Sequence, residues 1–447
     1  MELLEWLTLE QVVNDELIQA AEEGKDVSRF KLKLEQINSL PEAQRRVELQ
    51  NLNNEMMKAK VRPDYPYVEP TELTEIRRAR AQERRDSILC GRNQPKLSRR
   101  QLFDRIYGAW LGRCSGCLLG KPVEGMMSDQ IAALLKWKKA VPLNFYIAQE
   151  GGLPPGFLMD DEQVKRYQTG TFENVNQMLR DDDIDYTMIS LMIMEKYGRD
   201  FTTADIGATW LQTIPLLMTY TAERVAYRNF ANGLVPPESG RILNPYREWI
   251  GAQIRGDLWG YINPGNPELA AEYAFRDATL SHYKNGVYGE MFISALIAAA
   301  IEAKDLHSAV LIALGEIPDK SRLAETIRQV MEWSEQDQNW ETTFERIIDR
   351  YQGYNWFHTI PNAAIVVMAL LYGNGDFEKS ITIAVLAGLD TDCNGATVGS
   401  IVGAYLGAAR LPSKWIDPLN DRVATAVVGM TDTAISELAE RTLAFIG

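Results

Sequence analysis

The sequence predicts an all-α fold, a compact multi-helix domain behind an N-terminal helical extension, on three observations. Apolar residues recur at helical spacing along most of the chain, β-type alternation is sparse, and the apolar runs are separated by turns rich in Gly, Pro and Asp. Helical runs are predicted from Leu102 to Leu118, Tyr186 to Tyr197, Ala204 to Leu217, Tyr288 to Ile301, Asn362 to Leu371 and Ala396 to Ala409. Such a series closes a helix-on-helix core without a sheet.

Residues 1–98 read as the extension and 99–447 as the catalytic unit. Thr8 and Gln11 suit a capping box ahead of Leu9, Val12, Val13, Leu17, Ala20 and Ala21, and Gly24 suits the stop. A second helix is predicted from Val27 to Ser39, and a third from Pro41, carrying Val47, Leu49 and Leu52. The stretch from Val61 to Pro70 holds Pro63, Pro66 and Pro70 and cannot stay helical, so it reads as an extended strap. Basic residues gather from Arg77 to Arg100, but acidic residues interleave and aromatics are scarce, as in a solvated helix and linker.

Hydrophobic residues make up 46% and charged residues 24% of the chain, the composition of a folded globular protein. A net charge of −14 repels phosphate polymers and anionic membranes, which argues against nucleic acid and membrane as partners. Cys90, Cys114, Cys117 and Cys393 are too few and too unevenly spaced for a disulfide framework. With no export signal in MELLEWLTLE, they point to a reducing, cytoplasmic setting. The longest apolar stretches, such as Phe292 to Ile301, are roughly half the length a bilayer span requires and read as buried helices.

Two helices share a glycine stripe. Gly108, Gly112, Gly116 and Gly120 fall every fourth residue, as do Gly395, Gly399, Gly403 and Gly407, with GAWLG in one matched by GAYLG in the other. Each helical glycine costs about 1 kcal/mol relative to alanine. A stripe of them is explained by close backbone approach to another helix or a ligand loop.

Chemistry concentrates in two acidic turns. In LRDDDIDYTMISLMIMEKYG, beginning at Leu179, Asp181, Asp182, Asp183 and Asp185 precede an apolar helix. A single Asp would be accounted for as a cap, whereas three adjacent carboxylates repel unless a cation lies among them, so the run reads either as a cation site or as a solvated surface run. In AGLDTDCNGATVGS, Asp390 and Asp392 flank Thr391 just before the second striped helix, an arrangement that serves a hard cation or an Asx-turn cap. The first striped helix ends in GKPVEG, which presents Glu124 in a loop as a candidate base, a supporting carboxylate or equally a surface glutamate.

Cys114 and Cys117 have CxxC spacing, yet no further pair of soft ligands stands at zinc spacing, so they read as small buried residues. His282, in DATLSHYKNGVYGEM, is a candidate for binding substrate oxygens or for a structural hydrogen bond; His307 and His358 have less distinctive settings. No nucleophile elbow, Walker motif, HExxH or dinucleotide loop is present.

In this order, a Gly-rich helix ending in a glutamate, an acidic turn, a histidine loop and an Asp-x-Asp turn before a Gly/Ala helix, the chain from about Arg99 onward resembles the ADP-ribosylglycohydrolase family. The resemblance implies a compact all-α domain with two magnesium ions, manganese being the alternative, in a cleft. The family's Thr-Asp-Asp ligands fall on Asp181, Asp182 and Asp183, and its second pair on Asp390 and Asp392. Asp181 stands where Thr is usual, Cys393 stands where a second Thr is common, and a shifted register would instead use Asp185 and Thr187. Glu124 and Asp392 take the catalytic positions; His282, Tyr288 and Gly289 take the substrate side, and the stretch NPYREWIGAQIRGDLWGY, from Asn244, the pocket wall.

The implied reaction is hydrolysis of an N- or O-glycosyl bond at ribose, releasing ADP-ribose from a protein or a small ADP-riboside. Two rival readings are a noncatalytic member that binds nucleotide or metal, and a glycosidase for another ribosyl or sugar conjugate.

Overall fold

The computed structural model describes residues 7–81 and 97–446, so Cys90 and most of the basic stretch from Arg77 to Arg100 lie outside the described residues. Helix dominates. Among the described residues the sheet structure is one antiparallel ribbon, Arg422–Ala424 against Asp432–Ala434. The helix Asn285–Ala300 is buried along its whole length and stands at the centre, as an all-round apolar helix must. Around it pack Asp257–Tyr261, Pro267–Ala278, Leu306–Leu314, Thr359–Gly373 and Thr391–Leu406, and Arg99–Gly120 packs on the last of these. No helix is long and apolar enough to cross a membrane among the described residues.

Two predicted helix ends move for identifiable reasons. The run from Ala204 stops at Thr213, because Ile214 precedes Pro215 and is extended at φ −123°, ψ 127°. The run from Ala396 begins earlier, at Thr391, and stops at Leu406; Gly407, with φ +82°, is its C-cap and not part of the helical stripe.

The remaining stripe glycines do what their spacing suggests. The helices Arg99–Gly120 and Thr391–Leu406 run against each other backbone to backbone. A Cβ on Gly112 would sit 2.1 Å from the Gly399 carbonyl oxygen, one on Gly116 1.9 Å from that of Gly395, and one on Gly120 2.1 Å from that of Thr391. This contact brings the end of one helix onto the start of the other.

The helices Leu9–Glu22, Ser28–Asn38 and Glu42–Lys58 share a small core of their own, including Val13, Leu17, Phe30, Leu34, Leu49 and Met56. Thr8 caps the first of them, although the Gln11 side chain turns to Asp15 instead of closing the box. The proline strap continues from this core, and Val68 N–H donates to the Lys320 carbonyl at 2.9 Å.

A buried ionic network seats the small core on the rest. Arg247 binds Glu16 at 2.6 Å and Glu23 at 2.7 Å, while Arg322 binds Glu69 at 2.9 Å and Glu248 at 2.7 Å. His358 accepts the Ile360 N–H at Nδ1, so its proton sits on Nε2, 3.5 Å from Glu22 and 3.9 Å from Glu248. Glu22, Glu248 and His358 are close enough together to share a metal ion. With this tautomer, however, Nε2 has no lone pair to offer one.

Within this network burial, reinforced by the charge of Glu248, pushes the Glu22 carboxyl up to about 8 from 4.5. The native state therefore keeps a proton that the unfolded chain releases, so this group's contribution is full below pH 4.5 and is lost as pH rises to about 8. Glu22→Gln is expected to leave the melting temperature unchanged near pH 4 and to raise it progressively toward pH 8.5. A difference that does not grow with pH would contradict this assignment.

Candidate metal centre

The glycine contact builds the centre from two ends. The Thr391 hydroxyl donates to the Gly120 carbonyl at 2.8 Å, capping the first striped helix with the first residue of the second. The loop after it pairs with the second acidic turn, since Gly125 N–H donates to Leu389 O at 3.0 Å and Leu389 N–H to Met126 O at 3.1 Å. Gly125, Gly388 and Leu389 all hold positive φ here. For Leu389, a non-glycine at +62°, this is local strain of the kind that persists where surrounding structure over-determines it. Asn362 fixes the turn from the other side, accepting the Asn394 amide at 2.8 Å and the Asp390 N–H at 3.4 Å.

The first acidic turn faces this junction. Asp181 is the N-cap of Asp182–Tyr197, its Oδ1 accepting the Asp183 N–H at 3.1 Å, while its Oδ2 accepts from the Lys121 ammonium. Asp183 is wholly buried. Arg113, from the glycine-striped helix, reaches its Oδ1 at 3.2 Å and its carbonyl at 2.7 Å, and also binds Asp257 at 2.8 Å. The Cys393 thiol donates to Asp183 Oδ2 at 3.1 Å. Asp185 points elsewhere, bound to Thr425 at 2.6 Å, to Ala426 N–H at 2.9 Å and to Arg180 at 2.9 Å.

The structure thus gathers Asp181, Asp183 and Asp392 with the thiol of Cys117, and Asp390 and Asp392 with Cys393, each group within 4.8 Å. Asp182, half-buried, belongs to neither group. The Glu124 side chain is 16% exposed, with Arg166 Nε 3.3 Å away.

Burial, and then like charge, governs the protonation of the centre. Desolvation followed by Asp392 pushes Glu124 well above the usual carboxylate range, and desolvation followed by Asp181 pushes Asp392 up. Asp182, Asp183 and Asp390 are raised mainly by burial. Asp181 is the exception: burial works against its charge, but the Lys121 ammonium outweighs burial and holds it low. Asp392 Oδ1 is buried without any hydrogen-bond partner. Clustered hard oxygens with an unpartnered, buried carboxylate oxygen are the donor set a divalent cation fits.

The three substrate-side residues are placed apart from the aspartates. His282 is buried and burial drives its pKa well below the ordinary value; its Nε2 accepts the Ala252 N–H at 3.3 Å and its Nδ1 meets Ser281 Oγ at 2.8 Å. The Tyr288 hydroxyl donates to the Pro70 carbonyl of the strap, and a Cβ on Gly289 would lie 2.6 Å from Thr359 Oγ1. His282 and Tyr288 line a cavity of about 160 Å³ beneath the strap, and none of the centre's aspartates lines it. The stretch from Asn244 is a buried hub: Arg247 and Glu248 join the ionic network, and Arg255 binds Glu223 at 2.8 Å.

Arg113, Lys121, Arg166 and Asn362 carry much of the geometry and were not singled out by sequence reasoning. Arg113 had a signal, being the only charged residue between Tyr107 and Lys121 in an apolar helix. The CxxC cysteines are free and buried, as their spacing within the stripe suggests, but Cys117 also abuts the aspartates.

No curated protein matches the chain. A solved structure described as an ADP-ribosylglycohydrolase-related protein complex is similar at 22% identity and a TM-score of 0.48, over 77% of this chain and 98% of that one. The family model for ADP-ribosylglycohydrolase matches residues 98–445, and the chain belongs to that family.

Proposed function

We propose that the chain is a magnesium-dependent hydrolase that releases ADP-ribose from a modified protein or a small ADP-riboside, with residues 99–447 as its catalytic unit. The carrying observation is the convergence of Asp181, Asp183, Asp390 and Asp392 with an unpartnered buried oxygen on Asp392. Membership of the ADP-ribosylglycohydrolase family supports the reading.

Asp390 and Asp392, backed by Asp181 and Asp183, would hold a divalent ion, whose chemistry is to polarise an oxygen in the site as a Lewis acid. Glu124 is the general base. Its partial exposure beside Arg166, whose charge favours the ionised carboxylate, suits it to take a proton from the attacking water, whose oxygen bonds to ribose C1. The glycosidic bond breaks with its electron pair leaving on the aglycone atom. Arg166 orients the Glu124 carboxylate, and the surrounding carboxylates stabilise oxocarbenium character at C1.

The test is mass-spectrometric detection of free ADP-ribose from ADP-ribosylated protein and from a small ADP-riboside. Turnover is expected with magnesium, to vanish with chelator, and to fall by about 10²–10⁴-fold in Glu124→Gln, the usual share of a general base. Undiminished turnover after both changes would refute the mechanism. Ligand-induced stabilisation with no product would identify a binding protein, and release from other ribosyl conjugates alone would redirect the substrate class.

A further inference from the structure

The oxygens of the two acidic turns are not equally free. Asp181 spends Oδ1 on the Asp183 N–H and Oδ2 on Lys121 Nζ. Asp183 is held at Oδ1 by Arg113 and at Oδ2 by the Cys393 thiol. Asp181 and Asp183 are therefore supplied with donors from the chain itself, two of them full positive charges. The second turn is supplied less: Asp390 takes a hydrogen bond from the Cys393 thiol, but no cationic side chain among the described residues bonds either carboxylate, and Asp392 Oδ1, in a residue only 4% exposed, is buried with no hydrogen-bond partner.

Lys121 is delivered to Asp181 by rigid parts. It follows Gly120, whose backbone is pressed against Thr391 and whose carbonyl Thr391 caps. Pro122 comes next and fixes the chain direction. The ammonium end is thus brought in among the carboxylates, and an ammonium and a divalent ion cannot share one carboxylate oxygen without strong repulsion.

We propose that Lys121 is a resident cation of the centre, standing at the first acidic turn in place of a second metal ion, so that the chain binds one divalent ion, at Asp390 and Asp392. This deepens the metal-dependent reading given above and rests on it. Lys121 also sets the electrostatics of the site permanently, since its charge, unlike a bound ion, does not depend on metal supply.

The experiment is manganese binding to the full chain, read as stoichiometry by calorimetry and as the electron paramagnetic resonance spectrum. The wild-type chain is expected to bind one ion with the spectrum of isolated manganese. Lys121→Met, close in length and without charge, is expected to bind two, with spin coupling between neighbours, since paired metals in such sites stand about 3.5–4 Å apart. Lys121→Arg, which keeps the charge, is expected to bind one and also serves as the folded control. Two ions on the wild-type chain, or one on a folded Lys121→Met, would overturn the resident-cation assignment while leaving metal dependence intact. No manganese on any of the three chains would overturn the metal reading and this inference together.

Discussion

Asp392→Asn is expected to abolish turnover and, in chelator, to raise the melting temperature. The carboxylate is buried, and desolvation together with Asp181 makes its charge costly to the ion-free protein. Asparagine keeps the shape and removes the charge, so the ion-free protein is relieved of repulsion at a site that function keeps strained. Turnover responds in the opposite sense. Loss of a partner that only orients a metal ligand typically costs 10- to 100-fold, so loss of a ligand should exceed about a hundredfold. Activity of Asp392→Asn within tenfold of wild type, or a lower melting temperature in chelator, would contradict the role assigned to this residue.

Gly116→Ala is expected to destabilise the protein by about 2 kcal/mol or more, although alanine is the better helix former by about 1 kcal/mol. The added methyl would lie 1.9 Å from the Gly395 carbonyl oxygen and 2.5 Å from its carbon, and both are backbone atoms that cannot rotate away. The two helices must separate, one turn from the junction where Gly120 meets Thr391, and activity should fall with stability. Gly207→Ala is the matched control. There the methyl would meet side chains alone, the tip of Leu280 at 3.2 Å and the edge of the Phe230 ring at 3.6 Å, so the helix-propensity gain should dominate. Urea denaturation of both variants decides the matter, and equal midpoints for the two would refute close packing as the reason for the stripe.

Much of this was legible in the chain, because the features that specify it are local. Helical periodicity and Gly/Pro punctuation gave the all-α class, and glycine spacing gave the close helix contact that the structure realises. The acidic turns were visible as runs of like charge. What escaped was the cation side, since Arg113, Lys121 and Arg166 are ordinary residues until the fold sets them against particular carboxylates. The roles within DDDID were also hidden. Asp181 and Asp183 face the junction, Asp185 faces Thr425, and only the cap geometry and a distant segment of chain distinguish them. Likewise the ionic network under the strap joins Arg247 to Glu16 and Glu23 across more than two hundred residues, beyond the reach of any local pattern.

The pairing of the two striped helices also has a consequence in time. Gly120 and Thr391 touch although 271 residues separate them in sequence. During synthesis the first striped helix leaves the ribosome long before its mate exists, and long-range closure of this kind is slow to pay back its loop entropy. The nascent chain therefore carries an unpaired glycine groove until the second striped helix has been made, which is a window for chaperone engagement. The junction between the two acidic turns cannot close before Asp390 and Asp392 have been made, so no earlier length of chain can bring the two turns together.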